Sequence, residues 1–314
     1  MRPDGSAAES LRALVAAELG RPVDPAVSAM AAAIAGLHPG ARAVLFYGSC
    51  LRETRLDGLM LDFYLIVSEY REAFGKRWLA TANRLLPPNV FPFQHNGLIA
   101  KYAILSEEDF LRLASSATRN VSVWARFAQP SRLVWSADEA ARATAIAAVA
   151  RAAPTLLGAA RACIADRLPV LDMWRQAFAL TYGAELRAER GGRAVSVVDA
   201  DRDRYRAFAA PALHAAGLEA AITDDILHFS RPMSSAERAA GARAWARRRR
   251  EGKALTLLRL AKASATYAGG IDYLAWKIGR HSGVPIEIKP WQRRWPLVGA
   301  LALLPRLIAR GAVR

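Results

Sequence analysis

The chain has 314 residues, 53% apolar and 23% charged, which suits a globular protein of two or three modest domains and excludes a disordered or fibrous chain. Its formal charge is +16, and after residue 240 sixteen Lys/Arg stand against three acidic residues, so thirteen of the sixteen net positive charges lie in the last quarter. That quarter expects a polyanion: nucleotide phosphates, a nucleic acid or an acidic bilayer.

Residues 7–36 are Ala/Leu-rich at helical spacing and predict two helices broken near "GRPVDP". "ARAVLFYGS" predicts a short apolar strand ending in Gly-Ser, and "GLMLDFYLIV" a second, longer strand. "EYREAFGKRWLATANRLL" predicts one amphipathic helix, "LPPNVFPF" a loop, and "GLIAKYAIL" a third strand leading into "SEEDFLRLAS", which opens like a capping box. Strands and helices alternating over 90 residues predict an α+β unit with a mixed sheet. Beyond "QPSRLVW" the pattern is helical from 137 to 182. "GGRAVSVVDADRDR" then predicts a hairpin or wing, and helices resume to about Leu227. A long basic helical stretch follows, broken at Gly269-Gly270, and a basic aromatic tail ends the chain. Three segments result: 1–135, a mostly helical 136–235, and a basic 236–314.

The two cysteines, Cys50 and Cys163, form no CxxC, and the acid-bearing N-terminus suits neither a signal nor a transit peptide. A reducing cytoplasm is the expectation. The five histidines show no metal-ligand spacing, and no apolar run reaches the length of a membrane span.

The informative stretch is "VLFYGSCLRETRLDGLMLDFYLIV", Val44 to Val67, which sets a Gly-Ser pair and a lone aspartate into two apolar runs. A buried strand has no use for an ionised carboxylate unless something is held there. Nucleotidyl transfer needs a backbone that a triphosphate can approach and carboxylates for the Mg²⁺ that neutralises it. Twelve residues separate Ser49 from Asp62, each anchored in its own apolar strand. This is the spacing of the polymerase-β-like nucleotidyltransferases, which usually carry Asp-x-Asp, whereas Tyr64 holds the second position here.

"YGSC…LMLDFYLIVSE" resembles the mitochondrial-type phosphatidate cytidylyltransferases, the translocator assembly and maintenance proteins, whose Gly-Ser loop is likewise followed by an Asp without a second strand aspartate. The likeness continues in order over about 230 residues. "LIAKYAILS" is similar to their Lys-Tyr-Gly strand, with Ala103 for glycine; "VWARFAQPSRLVW" falls where they close the catalytic domain. "LTYGAELRAE" resembles their Ser-Tyr-Ser-Gly-Asp-Phe-Arg stretch, and "RLAKASATYAGGIDYLAWKIGR" their C-terminal Gly-Ile…Lys segment, here Gly270, Ile271 and Lys277. Cys50 replaces a usual glycine, and Ser68-Glu69 stands where two acids are usual. The resemblance implies a nucleotidyltransferase fold with a winged-helix-like second domain. It implies CTP and phosphatidic acid as substrates, CDP-diacylglycerol as product, and Mg²⁺ as cofactor. Tyr47, Gly48 and Ser49 would hold the nucleotide and Asp62 the metal, with Glu185 supplying the missing carboxylate. Lys101 would face the triphosphate or the lipid phosphate, its plain alternative being a strand-edge cation. Arg187 or Lys277 would bind the lipid phosphate, and Glu69 is a more distant acid or a solvated one.

In the tail, Trp291 and Trp295 stand among Lys289, Arg293 and Arg294 ahead of a short apolar run interrupted by Pro305. Tryptophans at headgroup level beside cations predict an interfacial helix on an anionic membrane, with the protein peripheral on the inner face of the cell membrane. The alternative is a terminal helix packed on the protein's own core. "WARRRREGK" is by default a solvated face; it lacks the interleaved aromatics of an RNA site, so nucleic acid is not the expected partner. Two rivals to the lipid reading are a nucleotidyltransferase with another acceptor, a different phospholipid or a tRNA, and a non-catalytic lipid- or RNA-binding relative. The sequence leaves oligomeric state open.

Overall fold

The computed structural model of the chain describes residues 5–52, 56, 58–184, 193–266 and 288–290. Two N-terminal helices, α1 (Gly5–Leu19) and α2 (Pro25–Gly36), lead into strand β1 (Ala41–Tyr47) and, after a short 3-10 turn, β2 (Met60–Val67). Helix α2 starts where Asp24 accepts a hydrogen bond from Ala26 N, with Pro25 at the first helical position, a residue whose fixed φ suits that place. Next come α3 (Tyr70–Ala73), α4 (Arg77–Leu85), β3 (Asn89–His95), β4 (Leu98–Ser106), α5 (Glu107–Leu113), α6 (Ser122–Phe127) and β5 (Ser131–Ser136). Ser106 caps α5 by accepting from Asp109 N, as the sequence predicts.

These strands make one mixed sheet in the order β3-β4-β2-β1-β5. Only β2 and β4 run parallel; the other neighbours are antiparallel. The fold is therefore α+β, a mixed five-stranded sheet with flanking helices. One sheet face packs Val44, Phe46, Phe63 and Leu65 against α2 through Val27, Met30 and Ile34, with α3 and α4 alongside. The other face packs Leu45, Tyr64, Ile66 and Leu105 against α1, α5 and α6.

The remainder is mostly helical: α7 (Glu139–Ala150), α8 (Ala152–Ala160), β6 (Arg167–Pro169), α9 (Val170–Tyr182), α10 (Arg193–Asp199), α11 (Arg202–Ala215), β7 (Ala220–Thr223), β8 (Ile226–Phe229) and α12 (Ser235–Thr266). The short strands form a second sheet ordered β6-β8-β7. The apolar cluster on the second sheet face continues through Trp174, Phe178 and Tyr205 to Trp245, so one core runs through all three sequence segments. Helix α12 lies close because Gly241 and Gly252 lack side chains: a Cβ on Gly252 would stand 2.0 Å from Ala184 O. Trp245 Nε1 donates to Ala159 O at 2.9 Å between those two contacts.

Four local expectations are corrected. Of "LPPNVFPF", only residues 86–88 are a loop; residues 89–93 belong to strand β3, where Pro92 is tolerated because β3 is an edge strand. The helix expected over 69–86 breaks into α3 and α4 around Gly75. In place of the hairpin expected over 191–204, the described residues form the whole of α10 and the first turn of α11. The true hairpin is β7–β8, turned by Asp224 and Asp225, both at positive φ (51° and 63°), as a tight hairpin turn requires. Glu139–Cys163 is also long and apolar enough, by length and composition, to cross a membrane, although half of its apolar window is buried inside the protein.

Candidate functional site

Strand pairing sets Asp62 directly opposite Tyr47 on β1 and beside Lys101 on β4. Residues in register point to the same sheet face, so Tyr47, Asp62 and Lys101 form a row across three adjacent strands. The row extends to Ser131 on β5, opposite Tyr47, and to Pro92 on β3, opposite Lys101. It lies at the end of β1 and near the starts of β2 and β4, where the sheet gives way to loops.

Asp62 Oδ1 is 3.0 Å from Lys101 Nζ, with the two side chains 21% and 34% exposed. That oxygen is buried and has no aligned hydrogen-bond donor, so the contact is an ion pair without the geometry of a hydrogen bond. A buried carboxylate oxygen left in this state retains unused capacity for a cation or a donor. Gly48 follows Tyr47 at φ +97°, a conformation that an L side chain rarely adopts, and a Cβ there would meet Asp62 Oδ2 at 3.2 Å. Glycine therefore keeps the backbone low against the carboxylate and open above it. Ser49 begins the 3-10 turn Ser49–Arg52, half-buried, with its hydroxyl bonded to no described residue. Cys50 turns the other way, into the α2-side core.

Tyr47 is half-buried, with its phenol end packed inward, and burial, reinforced by the neighbouring Asp62 charge, pushes its pKa well above the ordinary range. It stays protonated at any working pH and remains a donor. Tyr64, two residues after Asp62 on the same face, is 2% exposed and packs its ring 5.3 Å from Tyr47 and 5.2 Å from Phe127. A carboxylate at that position would be immersed in aromatic rings, so the strand offers one acid only. Tyr102 faces the opposite side of the sheet, where its hydroxyl meets His38 Nε2 at 3.0 Å and anchors the end of α2. Glu69 lies exposed beyond the far end of β2, away from Asp62.

Among the predicted site residues, then, Tyr47, Gly48, Ser49, Asp62 and Lys101 meet at one place. Glu185, Arg187, Lys277, Trp291, Arg293, Arg294 and Trp295 lie outside the described residues, as do Gly270 and Ile271. Two members of the neighbourhood escape sequence reasoning. Ser131 is fully buried with its Oγ unpartnered, one strand from Tyr47. Arg126 on α6 hydrogen-bonds the Tyr47 side chain and opposes the rise of its pKa. Both fall within "VWARFAQPSRLVW", but neither residue type marks itself out there; only the pairing of β5 with β1 brings Ser131 to the row.

No protein-family model matches the chain, and no curated protein matches it in sequence.

Proposed function

We propose that the protein is a nucleotidyltransferase that moves the cytidylyl group of CTP onto phosphatidic acid, making CDP-diacylglycerol and pyrophosphate. The observation that carries the reading is the row Tyr47–Asp62–Lys101, with Gly48 turned to φ +97° against a carboxylate oxygen that has no donor. Strand order and direction lend support: the Gly-Ser strand is antiparallel to the Asp strand, which is parallel to the Lys strand. The order β6, α9, α11, β7, β8 with a β6-β8-β7 sheet likewise supports a winged-helix-like second unit. The choice of CTP and phosphatidic acid rests on the ordered motif resemblance.

In this reaction an oxygen of the lipid phosphate bonds to the α-phosphorus, and the bond to the β-bridging oxygen breaks as pyrophosphate leaves. A phosphomonoester is already largely ionised near neutral pH, so little base catalysis is needed. The donor set fits a magnesium ion at one carboxylate: Asp62 would hold it, with Glu185 as the proposed second ligand, and the ion would offset triphosphate charge. The Gly48 backbone leaves room for phosphate oxygens, and the Ser49 hydroxyl can donate to one. Lys101 holds Asp62 in the free protein; in the complex its ammonium would shift to a phosphate, reducing repulsion between two anionic reactants. The Tyr47 phenol, kept protonated, buttresses the carboxylate without competing for the metal. Residues 291–295 would attach the enzyme to the inner face of the membrane, where its acceptor resides.

One observation favours a second reading, a non-catalytic lipid- or RNA-binding relative: the position of a second strand carboxylate is filled by Tyr64, sealed against Tyr47 and Phe127. A third possibility keeps the chemistry and changes the acceptor, to another phospholipid or a tRNA. Pyrophosphate release from CTP with Mg²⁺ and phosphatidate in mixed micelles, for wild type and Asp62→Asn, separates them. Phosphatidate-dependent release that the substitution abolishes is the expected result. Release with another acceptor would keep the fold and discard the lipid. No release from any nucleotide would favour the binding relative.

A further inference from the structure

Helix α4 has an unusual outer face. Trp78 is 49% exposed and Leu85 80% exposed. They are seven residues apart, two helical turns, and so lie on nearly one line along the helix. Arg77 and Arg84, with the same spacing, make a parallel cationic ridge beside them, and exposed Lys76 precedes the first turn. None of these three cations pairs with a described carboxylate. From Ala73 to Ser106 the chain has no acidic residue at all, while Lys76, Arg77, Arg84 and Lys101 supply four positive charges. An ordinary solvated helix mixes charge signs, and single exposed apolar residues are normal. An aligned tryptophan and leucine flanked by unopposed arginines is a different pattern.

The orientation of this face is fixed by the opposite side of the helix. Ala80 and Asn83 are buried beneath it. The Asn83 amide donates to Ile104 O at 3.0 Å, and its oxygen accepts from Asn89 N, stitching α4 to β4 and β3. Helix α12 arrives at the same end: Arg259 Nε donates to Pro87 O at 2.8 Å, and the adjacent Leu258 is 56% exposed. The exposed apolar side chains therefore run along α4 from Trp78 near its start to Leu85 at its end, where Leu258 of α12 comes close.

We infer that the outer face of α4 docks on an anionic bilayer. Charge decides the occupant. A second copy meeting this face would oppose one arginine ridge to another, whereas anionic headgroups neutralise it. Tryptophan and leucine flanked by cations are the residues that settle at the boundary of headgroups and acyl chains. The inference goes beyond the catalytic proposal and does not need it, since docking requires no nucleotide; it also places a membrane contact within the first segment, independent of the basic tail.

The test is binding of the full chain, without nucleotide, to vesicles of phosphatidylcholine with or without phosphatidylglycerol. Quenching by brominated phosphatidylcholine, compared between wild type and Trp78→Phe, reports whether residue 78 reaches the lipid whatever else anchors the protein. A quenched component in wild type that Trp78→Phe lacks is expected; equal quenching in the two overturns the inference. Lys76→Ala, Arg77→Ala and Arg84→Ala together should weaken partition to anionic vesicles on the order of a hundredfold, about fivefold per charge, and leave neutral vesicles unaffected. Trp78→Ser with Leu85→Ser should lower the thermal melt only slightly, Leu85 being largely exposed and Trp78 half-exposed. If that pair instead abolishes a dimer in sedimentation while vesicle binding and quenching persist unchanged, the face is a protein interface and the membrane assignment falls.

Discussion

The protein contains two carboxylate–cation pairs that look alike on paper and differ in every physical respect. Glu18 on α1 and Arg204 on α11 are 2% and 3% exposed. Arg204 uses Nε and Nη2 on the two oxygens of Glu18, sends Nη1 to Ala128 O at 3.1 Å, and lies over the Phe208 ring at 4.2 Å. Every hydrogen-bonding atom is satisfied, and the pair joins helices 186 residues apart in sequence. Asp62 and Lys101 touch once, through an oxygen with no aligned donor, beside a glycine that lets the backbone come close to the carboxylate. A buried ion pair is tolerable when its remaining capacity is filled. The first pair meets that condition and is structural. The second leaves capacity open, as a group does when it awaits a ligand.

Breaking the first pair sharpens this contrast most. Arg204→Met leaves Glu18 buried and unpaired, and should cost about 3–5 kcal/mol of stability, read as a large fall in melting temperature. A variant that melts like wild type would show the pair to be dispensable and remove one side of the comparison. Asp62→Asn should do the reverse. Its fold is retained, because the carboxylate makes no aligned hydrogen bond to lose, while pyrophosphate release should fall on the order of a thousandfold. Gly48→Ala is intermediate: positive φ costs about 1–2 kcal/mol, and the added methyl stands 3.2 Å from Asp62 Oδ2. Nucleotide affinity should therefore drop by more than stability does, measured by titration calorimetry and by melting of the same sample. Equal losses in both would make Gly48 a structural glycine only.

What the sequence made legible follows from the same physics. Gly48, Ser49 and Asp62 were visible because each violates the apolar pattern of its strand, and a violation in a buried run needs a reason. Asn89–His95 was hidden because Pro92 reads as a breaker, and only the neighbours of a strand reveal that it lies at an edge. The β7–β8 hairpin was hidden because Asp224-Asp225 at positive φ lacks the usual Asn or Gly, while "RAVSVVD" alternates like a strand and yet forms α10. Ser131 could not be found at all. Its burial and its place beside Tyr47 come from long-range register, which one sequence does not print.

The smallest expected effect is also the one with the least intuitive sign. Lys262, near the end of α12, is largely buried, and burial lowers its pKa from the ordinary 10.5 to about 7. Its Nζ donates to Leu86 O and, at 3.1 Å, to Pro88 O. A neutral amine still has two N–H groups, so deprotonation leaves both bonds in place while removing a buried charge. The unfolded chain therefore binds more protons than the folded one between about pH 7 and 10.5, and stability rises with pH across that window. Residual exposure screens the effect, so on the order of 1 kcal/mol is expected rather than the full shift. Denaturant melts at pH 7 and pH 9 for wild type and Lys262→Met measure it. Wild type should gain relative to the variant at the higher pH. A gain of the same size in both would move the effect to other groups, and a loss confined to wild type would mean that Lys262 is held as an ammonium by the two carbonyls, making α12 a charge-dependent clasp on the α4–β3 loop.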